Sequence, residues 1–212
     1  MSAAIFDPDC KRCPRLVEYL AQSHAKYPDY HCAPVAPFGA DQPRLLIVGL
    51  APGMHGANRT GRPFTGDHAG GILYRTLYEH GFSSAPVSEG ASDGLELRDA
   101  RITNAVKCVP PANKPVGAEI NNCRDFLSAE LKSLARPVVV LALGGIAHRA
   151  VIRCLELRQV DFPFGHANEY EPEPGLTLID SYHCSRYNTQ TRRLTEPMFS
   201  AVFSRIREIL DR

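Results

Sequence analysis

Residues 44–67 read RLLIVGLAPGMHGANRTGRPFTGD. The segment opens on an apolar run, Leu45-Leu46-Ile47-Val48, with no polar residue alternating in it, and then turns rich in Gly, Pro and Asn. A short strand of this kind is covered on both faces, which is the condition of a parallel sheet packed between helices. Three more runs repeat the pattern: RITNAV at 101–106, PVVVLAL at 137–143 and LTLIDS at 176–181. Helical patterns fill the intervals at 14–23, 69–80, 119–134, 146–157 and 196–210. In the last of these, Met198, Val202, Ile206 and Ile209 fall three and four apart and draw one apolar stripe. The fold class is therefore α/β. The segment SSAPVSEGASDGLEL at 83–97 predicts a surface loop, and no repeat or low-complexity tract interrupts the chain.

The chain has 212 residues, 44% of them hydrophobic, enough to bury the core of one domain spanning 1–212, with an N-terminal arm over about 1–43. A net charge of +1 excludes a protein coated in Lys and Arg, so contact with a nucleic acid would need a local basic patch. The longest apolar runs are too short to cross a bilayer, and MSAAIFDPDCKRC lacks the apolar core of a signal peptide. The expectation is a soluble, cytoplasmic monomer. Seven cysteines in such a chain argue against a disulfide framework and for metal ligation or plain burial. Cys10 and Cys13 form a C-x2-C pair, Cys108 and Cys123 lie far downstream, and Cys32, Cys154 and Cys184 stand alone. Spacing leaves an iron-sulfur cluster and a zinc ion both open.

Open parallel sheets bind ligands beyond the carboxyl ends of their strands, which directs attention to the segments after each run. Residues 49–66, 101–118 and 183–195 carry eight Lys and Arg and no Asp or Glu, leaving −7 for the remainder of the chain. That concentration points to an anionic partner, and several separated basic loops suit a polyanion such as DNA. Basic loops that are merely solvated would give the same count.

GLAPGMHGANRTGRPFTGD (49–67) resembles the uracil-DNA glycosylase superfamily, and within it the iron-sulfur-containing type B branch, also called family 5. The resemblance continues at ITNAVKCVPPANKP (102–115), LALGGIAH (141–148) and HCSRYNTQTRRLT (183–195), in order along nearly the whole chain. It implies an enzyme that flips a deaminated base out of DNA and hydrolyses its bond to deoxyribose. It also implies a three-layer αβα sandwich on a four-stranded parallel sheet. By the same resemblance Cys10, Cys13, Cys108 and Cys123 match the ligands of a structural [4Fe-4S] cluster.

The residues of the motifs can then be given chemical roles. Phe64, in a Pro-Phe-Thr-Gly turn, offers a flat face for a flipped base, or else packs in the core. Asn104 can pair its amide with a base edge that alternates N–H and C=O, or serve the strand it ends. His183 matches the histidine that donates to the departing base, where charge develops. Here the motif reads His-Cys-Ser, without the proline that usually follows the histidine. Asp67 matches the residue that holds the attacking water, and it also stands where a helix N-cap belongs. Ala51 replaces a polar residue of related branches, while Gly53 leaves open the space that a tyrosine blocks in strictly uracil-specific relatives, or serves a tight turn. Arg59, Arg62, Ser185, Arg186, Arg192 and Arg193 are candidate DNA contacts. Leu194 is either an apolar wedge for the gap left by the flipped base or the start of the last helix's stripe.

The resulting expectation is a monofunctional glycosylase acting on uracil, hypoxanthine and xanthine in DNA, and associated with the nucleoid through it. Only Lys107 and Lys114 lie near the motifs as amines for a lyase. The rival expectations are a lesion or nucleic-acid binder without hydrolysis and a nucleoside hydrolase on the same α/β plan.

Overall fold

Alternate residues of the apolar runs turn to opposite faces of the sheet, and both faces are covered. Leu45, Ile47, Val139, Leu141 and Ile179 pack with Leu73, Leu77, Phe199 and Phe203 on one side. Leu46, Val48, Val138, Val140 and Leu178 pack with Leu127, Leu131, Val151 and Ile152 on the other. Each fully buried aliphatic side chain stabilises the core by about 2 kcal/mol before chain entropy is counted. The computed structural model describes residues 5–212; residues 1–4 of the expected arm lie outside the described residues.

In chain order the elements are α1 (Pro14–Lys26), β1 (Phe38–Gly39), β2 (Leu45–Gly49), α2 (Ala57–Thr60), α3 (His68–Glu79), β3 (Ala100–Asn104), α4 (Gly117–Ser133), β4 (Val138–Leu143), α5 (Gly145–Cys154), β5 (Glu169–Glu173), β6 (Leu176–Ser181), α6 (Arg186–Gln190) and α7 (Glu196–Leu210). The sheet runs β1-β3-β2-β4-β6-β5. Its four central strands are parallel, as expected, with α3 and α7 on one face and α4 and α5 on the other. The two antiparallel edge strands were not legible. β1 has only two residues, and β5 reads EYEPE, a charged stretch containing a proline that only an edge tolerates. The strand order reverses beside β2, and such a switch point opens a crevice at the carboxyl ends.

The segment 83–97 is irregular, as expected, but it is not a simple surface loop. Ser88, Leu95 and Leu97 are buried, and Asp93 accepts from Arg62 at 2.7 Å. Burial works to raise the Asp93 carboxyl. It is outweighed by the backbone N–H groups of Leu95, Glu89 and Gly90 together with the Arg62 guanidinium, which hold the group well below the usual carboxylate range. Arg62 is 4% exposed and lies 4.2 Å over the Phe38 ring, so it braces the 62–66 turn and is not a DNA contact.

Two more of the eight counted cations are internal. Arg101 and Lys107 are both buried beside Glu130, at 3.7 and 3.8 Å, and Lys107 donates to Thr103. The basic surface is correspondingly smaller than the count implies. Arg62→Ala is expected to destabilise the protein by about 2 kcal/mol, because the buried guanidinium's bonds to Asp93, Ser88 and the Ala91 carbonyl are lost while Asp93 keeps its backbone N–H donors. Chemical denaturation measures this; an unchanged midpoint would show that the pair is dispensable.

Candidate functional site

At the carboxyl ends of β2, β3 and β6 lies a cavity of about 370 Å³ that brings together Ala51, Gly53, Phe64, Asp67, Asn104 and His183. Every residue expected from the motifs to bind the base or act in catalysis therefore lines one space. His68 and Asn113 also line it, and nothing in their local sequence set them apart.

Phe64 forms one wall. Its φ of +53° is a left-handed conformation that a bulky residue rarely adopts. Three ties enforce it: Tyr74 Oη donates to the Pro63 carbonyl at 2.9 Å, Thr65 Oγ1 bonds Ser88 Oγ at 2.8 Å, and Arg62 anchors on Asp93. The ring faces the His183 imidazole across 5.7 Å at 29°.

Asn104 ends β3 opposite Gly49 of β2. It is 3% exposed, and its Oδ1 has no hydrogen-bond partner among the described residues. A buried acceptor left unpaired is costly and marks a place where a donor is to be received. Gly49 makes this arrangement possible, since a Cβ there would collide with Asn104 Oδ1 and fall 2.6 Å from the Phe64 ring. Sequence reasoning passed over Gly49, because only the register of β2 on β3 reveals what it faces.

Asp67 caps a helix with one oxygen and leaves the other turned away from it. Oδ1 accepts the Gly70 N–H at 2.9 Å and caps α3. Oδ2 turns toward the loop after β2, where a Cβ at Gly53 would stand 3.2 Å from it and one at Gly56 would clash.

His183 follows β6 and is half-buried. Burial pushes its imidazole below the ordinary 6.5, with the Asp67 carboxylate pulling the other way, so the ring is neutral at pH 7. Asn188 Nδ2 donates to the His183 carbonyl at 2.8 Å. Cys184, in the place of the missing proline, is fully buried against α3 and α7, and its thiol donates to the Ala69 carbonyl at 3.4 Å. Packing thus holds the turn where ring rigidity otherwise would.

The candidate DNA contacts divide. Arg59 is exposed, with its guanidinium fixed by the carbonyls of His55 and Gly66 at 2.9 and 3.3 Å. Arg186 stands exposed at the cavity rim beside Ser185, whose hydroxyl caps α6 by accepting from Asn188 N. Arg192 is exposed, and Arg193 lies 4.5 Å over the Tyr182 ring. Leu194 is only 1% exposed and belongs to the core under α3 and α7. Packing claims it, so the wedge reading fails for this residue. The large apolar side chain exposed nearby is Tyr187 of α6, at 71%.

Comparison with known proteins places this geometry. The family model described as the uracil DNA glycosylase superfamily matches residues 36–207. The chain belongs to the uracil DNA glycosylase superfamily. That is the family, and the class of enzyme, that the motifs resemble. Among superfamily members, the type-5 uracil-DNA glycosylase of Thermus thermophilus is 45% identical over 198 residues, 91% of this chain and 90% of that one. The type-5 enzyme of Pyrobaculum aerophilum is 41% identical over 93% of this chain and 87% of its own. A type-4 uracil-DNA glycosylase from Archaeoglobus fulgidus is 30% identical over 77% of each. The crystal structure of wild-type SMUG2 from Pedobacter heparinus superposes with a TM-score of 0.52 over 81% of this chain and 77% of that one. At 14% identity this is a likeness of fold alone.

This superfamily member also gathers four cysteines. Cys10 and Cys13 before and at the start of α1, Cys108 after β3, and Cys123 in α4 all line one small cavity, far apart as they are in sequence. Burial, reinforced by the neighbouring Cys123, Cys10 and Cys13, pushes the Cys108 thiol up to about 12. Asn122 Nδ2 donates to Cys13 Sγ at 3.4 Å, and the Lys107 backbone N–H faces the Cys123 sulfur. Among the described residues no three His, Cys, Asp or Glu side chains close on a point as ligands of a single ion do; the four thiols instead surround a space. Crowded thiols of this kind, with N–H donors aimed at two of the sulfurs, have the donor chemistry of a metal centre held by thiolates. Cys32, Cys154 and Cys184 do not line that cavity.

Proposed function

We propose that this member of the superfamily is a monofunctional DNA glycosylase that hydrolyses the N-glycosidic bond of uracil, and also of hypoxanthine and xanthine, in a nucleotide flipped out of DNA. It acts as a monomer. The observation that carries the proposal is the unpartnered Oδ1 of Asn104, a residue that lines the same cavity as the Phe64 ring and the His183 imidazole.

A flipped base slides against Phe64 and gives its ring N–H to Asn104 Oδ1, satisfying the orphan acceptor. The His183 N–H donates to a base carbonyl. As the C1′–N bond breaks, its electron pair moves to the base, and the donor stabilises the charge that forms there. Water then bonds to the electrophilic C1′, giving up a proton, while the base anion takes one from solvent. Asp67 Oδ2 lies on the cavity wall, where a carboxylate stabilises the cationic sugar and orients that water. Ala51 offers no polar atom for that task. No lysine lines the cavity among the described residues, which favours hydrolysis over a Schiff base.

Gly53 adds no side chain to the wall, and 370 Å³ admits a bicyclic base that keeps the same N–H beside a carbonyl. Arg59, Arg186, Arg192 and Arg193 meet the phosphates, and Tyr187 takes the wedge role that Leu194 cannot fill. Cys10, Cys13, Cys108 and Cys123 would hold a [4Fe-4S] cluster, which when bound supplies no redox chemistry and ties the N-terminal segment to α4.

Duplex oligonucleotides carrying one modified base, followed by alkali, test this. Release of uracil and hypoxanthine is expected, with paired thymine spared and Gly53→Tyr narrowing the range toward uracil. Tight binding without release would sink the enzyme in favour of a lesion binder. Activity on free deoxyuridine alone would indicate a nucleoside hydrolase, and an untouched hypoxanthine would remove the wider range.

A further inference from the structure

His166 lies in the segment between α5 and β5 and has no part in the chemistry above, yet it grips the residue immediately before His183. Its Nδ1 accepts the Tyr182 backbone N–H at 3.3 Å, and its ring stacks on the Tyr182 ring at 5.1 Å and 18°. Its other nitrogen faces the Met198 carbonyl in α7. The Tyr182 N–H faces the β5 side, where strand pairing stops at Ile179, so the sheet supplies it no partner. The 165–168 segment is itself secured to β6, through Ala167 N to Asp180 O at 2.9 Å and Asp180 N to Asn168 O at 3.0 Å. On the other side of His183, Asn188 holds the carbonyl. The backbone is thus clasped just before and just after the imidazole.

We infer that His166 is a positioning residue for the reaction: by accepting the Tyr182 N–H it sets the aim of the His183 side chain at the departing base. The inference rests on the donor role given to His183 above. Acceptance at Nδ1 requires a neutral ring whose proton sits on Nε2, and the Met198 carbonyl on that side favours this tautomer. Burial, which lowers the His166 pKa, acts in the same direction. A misdirected donor leaves DNA binding intact while weakening stabilisation of the transition state, so the cost falls on the rate of base release.

Two substitutions separate the acceptor from the ring. His166→Phe keeps a flat ring against Tyr182 and has no acceptor, whereas His166→Gln restores an acceptor without the ring. Single-turnover release of uracil, Kd for the same duplex and the unfolding midpoint are measured for both, with His183→Ala in parallel. The Phe variant is expected to lose roughly 10-fold or more in rate, with Kd and midpoint unchanged, and the Gln variant to recover most of that loss. A Phe variant as fast as the wild type overturns the inference. So does a Gln variant no faster than the Phe variant, or rate, affinity and midpoint falling together in both. If His183→Ala itself keeps the full rate, the donor role fails first and the inference with it; if only the His166 variants do, His183 stands and His166 is packing alone.

Discussion

Replacing His183 with alanine is expected to slow base release by roughly 10²- to 10³-fold, the usual cost of removing one donor aimed at a developing anion. The loss should appear in the single-turnover rate and hardly in Kd for uracil-containing duplex, because Phe64, Asn104 and the exposed arginines remain. The pH profile adds a second readout. Burial holds the His183 imidazole below 6.5 against the pull of Asp67, so the wild-type rate should stay level down through neutral pH and change only under more acidic conditions. That acidic limb should vanish in the alanine variant. A variant that loses affinity and rate equally would make His183 a binding residue.

The second large effect concerns the four cysteines. The purified protein should be brown and contain iron and sulfide. Cys108→Ser should abolish both, with a fall in the yield of folded protein, because Cys108, Cys13 and Cys123 share one buried cluster with Leu16, Leu20 and Val109. Without the tie, α1 and the segment after β3 keep that small apolar contact and the Arg15 bonds to Glu119 and the Lys114 carbonyl. Combining Cys32→Ser, Cys154→Ala and Cys184→Ala should leave the iron content unchanged, since none of the three lines the cavity. One equivalent of zinc and no iron would refute the cluster, and iron lost from the triple variant would refute the ligand set.

Much of the site was legible because its residues lie in short motifs that follow strands. Asn104 ends β3, His183 follows β6 by two residues, and Phe64 and Asp67 belong to the connection from β2 to α3; a parallel sheet sends all such connections to one edge. Asp67 shows the limit of this: its sequence supports a cap and a site residue equally, and the structure shows the cap on Oδ1 with Asp67 lining the cavity. Gly49, His68 and Asn113 escaped notice because their roles depend on what a neighbouring element brings near them.

The sequence by itself determined the α/β class, the four central strands, the edge of the sheet that carries the site and the family. All of these follow from periodicity and from motifs contiguous along the chain. Only the tertiary structure decided which side chains meet solvent. Arg62, Arg101 and Lys107 count as basic loop residues in the sequence, yet each is buried against a carboxylate from a distant segment, Asp93 or Glu130. Leu194 and Tyr187 stand in one short segment, in the loop after α6 and in α6, and differ in the same way, the first sealed under α3 and α7 and the second open to water. Burial is set by what packs from the far side, and that partner is separated from the residue by tens of positions that local patterning does not span.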